Sequence, residues 1–295
     1  MTDAGSMPAA RREAGRGRAL ARLWWPVRSL CLWVASIVHF FGVCCGLILL
    51  SFFKDPRHND RPQRVFFRNV LRVAGVRFRV RYSPGFDPQR TALFICNHVN
   101  LFDPMVIYSA IPQFVRGMEL ESHFKIPAYG WMVGKFGNIP VPSRHGKAEM
   151  QDLARRILSA LDSGTSVIVF AEGHRTRDGR VAPFQKGIFR WACEFGYPIA
   201  PMSITGSYEF SRTGSWLLRP STIVVYLHEL VETRGVGVAE AERLRASVHA
   251  TVSRPVDAAL GLVDAGAELA AYRAARSRGE ILAHAGVLAR PAAAT

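Results

Sequence analysis

Two short segments of this chain hold residue types that can move a proton and bind an anion. The first is Cys96-Asn97-His98-Val99-Asn100-Leu101-Phe102-Asp103-Pro104. His98 could remove a proton from an attacking hydroxyl, and a nearby Asp103 carboxylate could hold the ring's tautomer and stabilise its protonated form. The second is Phe170-Ala171-Glu172-Gly173-His174-Arg175-Thr176. There Arg175 offers a planar five-donor fork suited to phosphate, and Gly173 permits close backbone approach. The His98–Asp103 spacing alone carries little weight. Nine histidines and ten aspartates in 295 residues give roughly 0.3 such pairs by chance. Taken alone, the first segment also reads as a loop histidine before a helix-capping aspartate, and the second as a solvated basic turn.

The elements around both segments raise their weight. Thr91 to Ile95 is a short apolar strand leading into the first segment, and Asp103-Pro104 suits the first turn of a helix. Ser166 to Phe170 is a second buried strand, running straight into the Glu172–Arg175 loop. If the two strands are parallel, both loops leave the same edge of a sheet, where α/β proteins present reactive groups.

Further elements follow from periodicity. An amphipathic helix is expected over 56–75, and a half-buried strand from Val76 to Tyr82. Met150, Leu153, Ile157, Leu158 and Leu161 trace one helix face, stopped by Gly164. Phe184 to Phe195 reads as a helix, and Ile199 to Ile204 and Thr222 to Leu227 as strands. The expected class is α/β, with a central mostly parallel or mixed sheet flanked by helices and an N-terminal membrane-associated helical segment. The expected organisation is a basic, disordered N-terminus (1–28), a membrane segment (29–55), the α/β domain (56–250) and an Ala-rich helical tail (251–295).

The membrane expectation rests on Ser29 to Phe53, which contains no Asp, Glu, Lys or Arg. Such a helix exceeds the roughly 30 Å hydrocarbon core of a bilayer, and the run is longer and bulkier than a secretory signal. Arginines crowd both flanks, so the positive-inside rule gives no direction. A single span is the simpler reading. A helix that bends back near Gly42 or Gly46 would instead leave both flanks on the cytoplasmic side. Trp24, Trp25 and Trp33 are expected as interfacial anchors.

Net charge is +15, from 38 Lys+Arg against 23 Asp+Glu. Beside a membrane segment this favours anionic headgroups, and no zinc-finger spacing or RNA-binding signature points to nucleic acid. The five cysteines are irregularly spaced and form no CxxC pair. They suggest neither a disulfide framework nor a zinc site, and fit a reducing, cytoplasm-facing domain. His123, His145, His228 and His249 lack metal-ligand spacing, so no metal is expected.

Together these residues resemble a known family. Asn97-His98, four residues, then Asp103 resembles the first motif of the glycerolipid acyltransferases, which include the 1-acylglycerol-3-phosphate (lysophosphatidic acid) acyltransferases. The Phe170–Thr176 segment resembles their third motif, usually Phe-Pro-Glu-Gly-Thr-Arg-Ser. Gly137-Asn138-Ile139-Pro140-Val141 resembles the start of the second, and Ala200-Pro201-Met202 the fourth. All four stand in order across roughly 65–230.

The resemblance implies acyl transfer from acyl-CoA or acyl-carrier protein to a lysophospholipid hydroxyl, with no cofactor beyond that co-substrate. His98 would be the general base and Asp103 its orienting partner. Glu172 and Gly173 would shape the acceptor site, Arg175 would hold its phosphate and Pro201 would wall the pocket. Asn97 and Arg144 complete the implied substrate-binding set. The expected location is the inner, cytoplasmic membrane, with the catalytic domain facing the cytoplasm.

The chain departs from the pattern at three places. Pro142-Ser143 stand where the second motif continues to Asp-Arg, and Arg144 falls one residue later. Ala171 replaces the usual Pro, and His174 the usual Thr. Ala200 and Met202 are milder changes. These differences leave other lyso-lipids open as acceptors, including amino-acid-containing ones. Two readings come from other classes: a lipid hydrolase, for which the G-x-S-x-G turn is lacking although Ser207 and Ser215 each follow a glycine, and a non-catalytic binder of anionic lipid.

Overall fold

The computed structural model of the chain describes residues 9–144 and 146–262, so His145 and the expected tail beyond 262 lie outside the described residues. Helix α1 runs from Ala9 to Phe53 and α2 from Asp60 to Val73, joined by a 3-10 turn at Pro56–Asn59. Strands β1 (Arg77–Tyr82) and β2 (Leu93–Cys96) follow, then α3 (Asp103–Ala110). Next come β3 (Val115–Leu120), α4 (Tyr129–Lys135), β4 (Ile139–Val141), α5 (Lys147–Asp162) and β5 (Ser166–Phe170). The last elements are α6 (Lys186–Phe195), β6 (Ile199–Thr205), α7 (Ser207–Phe210), β7 (Thr222–Leu227) and α8 (Ala241–Ala259).

Seven strands form one sheet in the order β1-β7-β6-β2-β5-β3-β4. Five run the same way; β7 is antiparallel to β6 and carries β1 parallel to itself. β2 lies at the centre, so all four of its residues are buried, as a strand covered on both faces requires. One face packs against α1 to α4 through Leu47, Phe67, Leu71, Ile107 and Met132. The other packs against α5, α6 and α8 through Ile157, Leu161, Phe189, Val248 and Val252.

Several elements differ from the sequence reading. β3 and β4 escape it because Arg116, Gly117 and Glu119 interrupt one strand, while the other has three residues with Pro140 at the sheet's edge, where a missing N–H is tolerated. The position 250, expected to divide the α/β domain from the helical tail, lies inside α8, whose Val252 and Val256 are buried.

α1 begins at Ala9, well before the apolar run, because its Ala-, Arg- and Leu-rich lead-in favours helix. It continues without a break through Gly42 and Gly46. A stripe of α1 (Ser29, Ser36, Val43, Cys44, Leu47) is buried against the domain, while Trp24, Leu30, Val34, Val38 and Phe52 face outward. Trp33 does not serve as a free anchor. Its Nε1–H donates to the Trp216 carbonyl at 2.7 Å, and its ring lies 5.4 Å from Phe102.

Candidate active site

β2 and β5 are parallel neighbours, with Cys96 opposite Phe170. Two residues beyond each lie His98 and Glu172, which therefore leave the sheet at the same height. Glu172 Oε1 accepts the His98 backbone N–H at 2.7 Å, and its Oε2 accepts that of Ala182 at 2.7 Å. The carboxylate is 1% exposed, and burial raises its pKa although both N–H donors pull the other way. Glu172 thus joins the two loops rather than facing solvent.

Asp103 is fully buried in the first turn of α3. Its Oδ2 lies 2.8 Å from His98 Nδ1 and accepts the backbone N–H groups of Val99 and, at 2.9 Å, Asn100. Its Oδ1 accepts the Ser207 hydroxyl at 2.9 Å. The negative charge so held fixes Nδ1 as the protonated nitrogen, leaving Nε2 to take a proton. The imidazole stacks on Phe170 with ring centroids 4.0 Å apart and planes 15° apart, which restrains its other degree of freedom. Its side chain is about one-fifth exposed, so a substrate can reach Nε2.

Asn100 and Ser207 support this pair, and the motif spacing did not single them out for that role. The Asn100 amide donates to the Ser207 hydroxyl at 2.9 Å and to the Ser207 and Ser211 carbonyls at 2.8 and 3.2 Å. Ser207 is fully buried. Its hydroxyl is committed to Asp103, which removes it as a hydrolase nucleophile. Gly206 makes this turn possible. Its φ is +76°, and an added Cβ would lie 2.1 Å from the Thr222 carbonyl oxygen. Thr213 Oγ1 ties the two loops to α7's far side through the Val99 and Thr176 carbonyls at 3.1 and 2.6 Å. Cys96 is fully buried, and burial pushes its thiol well up, so it stays protonated.

The remaining expected residues sit at varied distances from the pair. Gly173 adopts φ +76°, a conformation glycine takes without strain, and Arg175, two residues on, is exposed. Asn97 points into the sheet: its amide donates to the Ile204 carbonyl at 3.0 Å and accepts the Ile204 N–H at 2.8 Å, extending the β2–β6 ladder. Pro201 is buried within β6 opposite Ile95, below the strand ends. Arg144 is exposed just past β4, on the same edge but three strands from β2, about 14 Å away by strand spacing. Beside α3, a small apolar cavity opens between Phe40, Phe67, Pro104, Met105, Tyr108 and Phe136.

The Acyltransferase family model matches residues 77–205, the span from β1 to the end of β6. Residues 77–205, rather less than half of the chain, are thus similar to that family. It is 27% identical over 194 residues to the 1-acyl-sn-glycerol-3-phosphate acyltransferase of Limnanthes douglasii, covering 64% of this chain and 68% of that one. The chloroplastic 1-acyl-sn-glycerol-3-phosphate acyltransferase of Brassica napus is 29% identical over 138 residues, 46% of this chain. The chain spans only 40% of that relative. The fold is shared with the crystal structure of the 1-acyl-sn-glycerophosphate acyltransferase PlsC of Thermotoga maritima, at a TM-score of 0.68 and 24% identity. That match covers 80% of this chain and 96% of the other.

Proposed function

We propose that this protein is an acyltransferase that moves a fatty acyl group from an acyl thioester to the hydroxyl of a lysophospholipid, with 1-acylglycerol-3-phosphate as the acceptor. The observation that carries this reading is the His98–Asp103 contact of 2.8 Å, with Nε2 left open toward solvent beside the Arg175 loop. Nε2 takes the acceptor's hydroxyl proton as its oxygen attacks the thioester carbon. The C–O bond forms, the C–S bond breaks, and the proton passes to the departing thiolate. No acyl-enzyme is needed, because the thioester is already activated. General-base help is worth about 10²–10⁴-fold, so positioning and stabilisation of the oxyanion supply the rest. In this reading Arg175, exposed on the loop that Glu172 ties to His98, holds the acceptor's phosphate.

The course of α1 supports attachment along the membrane surface rather than a span. Its buried stripe from Ser29 to Leu47 covers about 27 Å of helix packed on the domain. Those residues cannot also cross a bilayer of about 30 Å while the domain stays in water. A helix lying in the interface keeps its outward apolar face in lipid and both basic flanks on one side, which we take to be the cytoplasmic one.

A panel of lysolipid acceptors with purified protein and a labelled acyl thioester tests the reading. Transfer to 1-acylglycerol-3-phosphate is expected. Activity confined to phosphate-free acceptors would overturn the role of Arg175, and release of free fatty acid without acceptor would indicate hydrolysis.

A further inference from the structure

Two buried polar atoms on α1 have no partner among the described residues: the Ser36 hydroxyl and His39 Nε2. Ser36 is 3% exposed. Other helical hydroxyls of this chain turn back onto their own helix, as Ser109 does to the Met105 carbonyl at 2.6 Å and Thr251 to that of Ser247 at 3.0 Å. Ser36 does not. Packing alone would favour apolar residues at both places, as at Val43 and Leu47 on the same stripe. A buried polar group without a partner keeps its full desolvation cost.

Their position is informative. Ser36 and His39 are three residues apart and share a face of α1. Trp33, about one turn before Ser36, touches Phe102. Phe40, about one turn after it, lines the apolar cavity with Pro104 and Met105. On α1 the pair is thus flanked by Trp33, which meets Phe102 in the His98–Asp103 loop, and by Phe40, which meets the start of α3 across the cavity. A ligand that packs along this face of α1 and satisfies both donors is apolar with one carbonyl acceptor.

We propose that Ser36 and His39, the latter as its Nε2–H tautomer, donate hydrogen bonds to the carbonyl oxygen of a fatty acyl group bound against α1. The proposal rests on the acyl-transfer reading. Such a carbonyl belongs to either of two substrates: the ester of the lysolipid acceptor or the thioester of the donor.

The experiment compares the full-length protein with Ser36→Ala, His39→Leu and the double variant on lipid vesicles. It reads kcat, KM for the donor and KM for two acceptors, 1-acylglycerol-3-phosphate and its 1-alkyl ether analogue, which lacks the carbonyl. Thermal stability is measured alongside. The double variant is expected to raise one KM by about 10-fold, from two neutral hydrogen bonds, with kcat little changed and the melting temperature equal or higher. If the acceptor's ester is held, the wild type prefers the acyl over the alkyl acceptor and the double variant loses that preference. If the donor's thioester is held, the donor KM rises and the acyl-to-alkyl ratio stays. Unchanged KM values in a folded double variant would overturn this inference alone. A lower melting temperature with unchanged KM would also overturn it, because it would reveal an internal partner. An inactive wild type would overturn the acyl-transfer reading itself, and this inference with it.

Discussion

Replacing Asp103 by Asn removes one charge from the site and little else. The side chain keeps its size, and its carbonyl oxygen can still accept the N–H groups of Val99 and Asn100. The amide then faces the Ser207 hydroxyl, which can rotate to accept instead of donate. What disappears is the attraction between a buried carboxylate and the imidazolium that forms when Nε2 takes the acceptor's proton. With Oδ2 2.8 Å from Nδ1, the charge centres lie about 4 Å apart, and at an effective dielectric near 20 their attraction is about 4 kcal/mol. Since about 1.4 kcal/mol is tenfold in rate, kcat should fall by about 10³-fold. Both KM values should stay within a few-fold, because neither substrate touches the buried carboxylate. Steady-state acyl transfer with saturating thioester and varied lysolipid measures this, with circular dichroism as a check on folding. A folded Asp103→Asn protein whose kcat lies within tenfold of the wild type would refute the claim that this charge supports proton transfer.

Three further outcomes follow from the same contacts. Ser207→Ala should lower stability by about 1–3 kcal/mol and slow transfer, because Asp103 loses one donor and Asn100 one acceptor; urea unfolding and kcat read the two effects. Burial raises the Glu172 pKa, so the folded state holds that proton more tightly than the unfolded state. Stability is then lost as pH rises through the raised value, and melting curves of Glu172→Gln should lack that slope, gaining on the wild type from acid toward neutral pH. His228 is shifted the opposite way, down from 6.5 to about 4 by burial. Its contribution is present above pH 6.5 and is lost as pH falls toward about 4, by about 3 kcal/mol in all; a melting series on His228→Gln should be flatter across that window.

The His98–Asp103 pair was legible in the sequence because it is local. Five positions separate His98 from Asp103, and a strand and a helix start flank them. The parallel pairing of β2 with β5 then fixes the Glu172 loop beside it. Ser207 was visible only as a serine after a glycine, since its bond to Asp103 joins residues 104 apart in the chain. Asn97 belongs to the motif by position, yet its amide is consumed by Ile204 on the neighbouring strand, a contact no spacing rule displays. Composition marked Ser29–Phe53 as a membrane segment. It could not show that one stripe of that helix packs on the domain, because a buried core stripe and a lipid-facing stripe are both apolar.

The most direct test of the central claim is acyl transfer by His98→Ala. Purified wild type with labelled acyl thioester and 1-acylglycerol-3-phosphate on vesicles should yield diacyl product, and His98→Ala should yield none while still sedimenting with the vesicles through α1. A folded, vesicle-bound His98→Ala protein that transfers the acyl group at the wild-type rate would contradict the account.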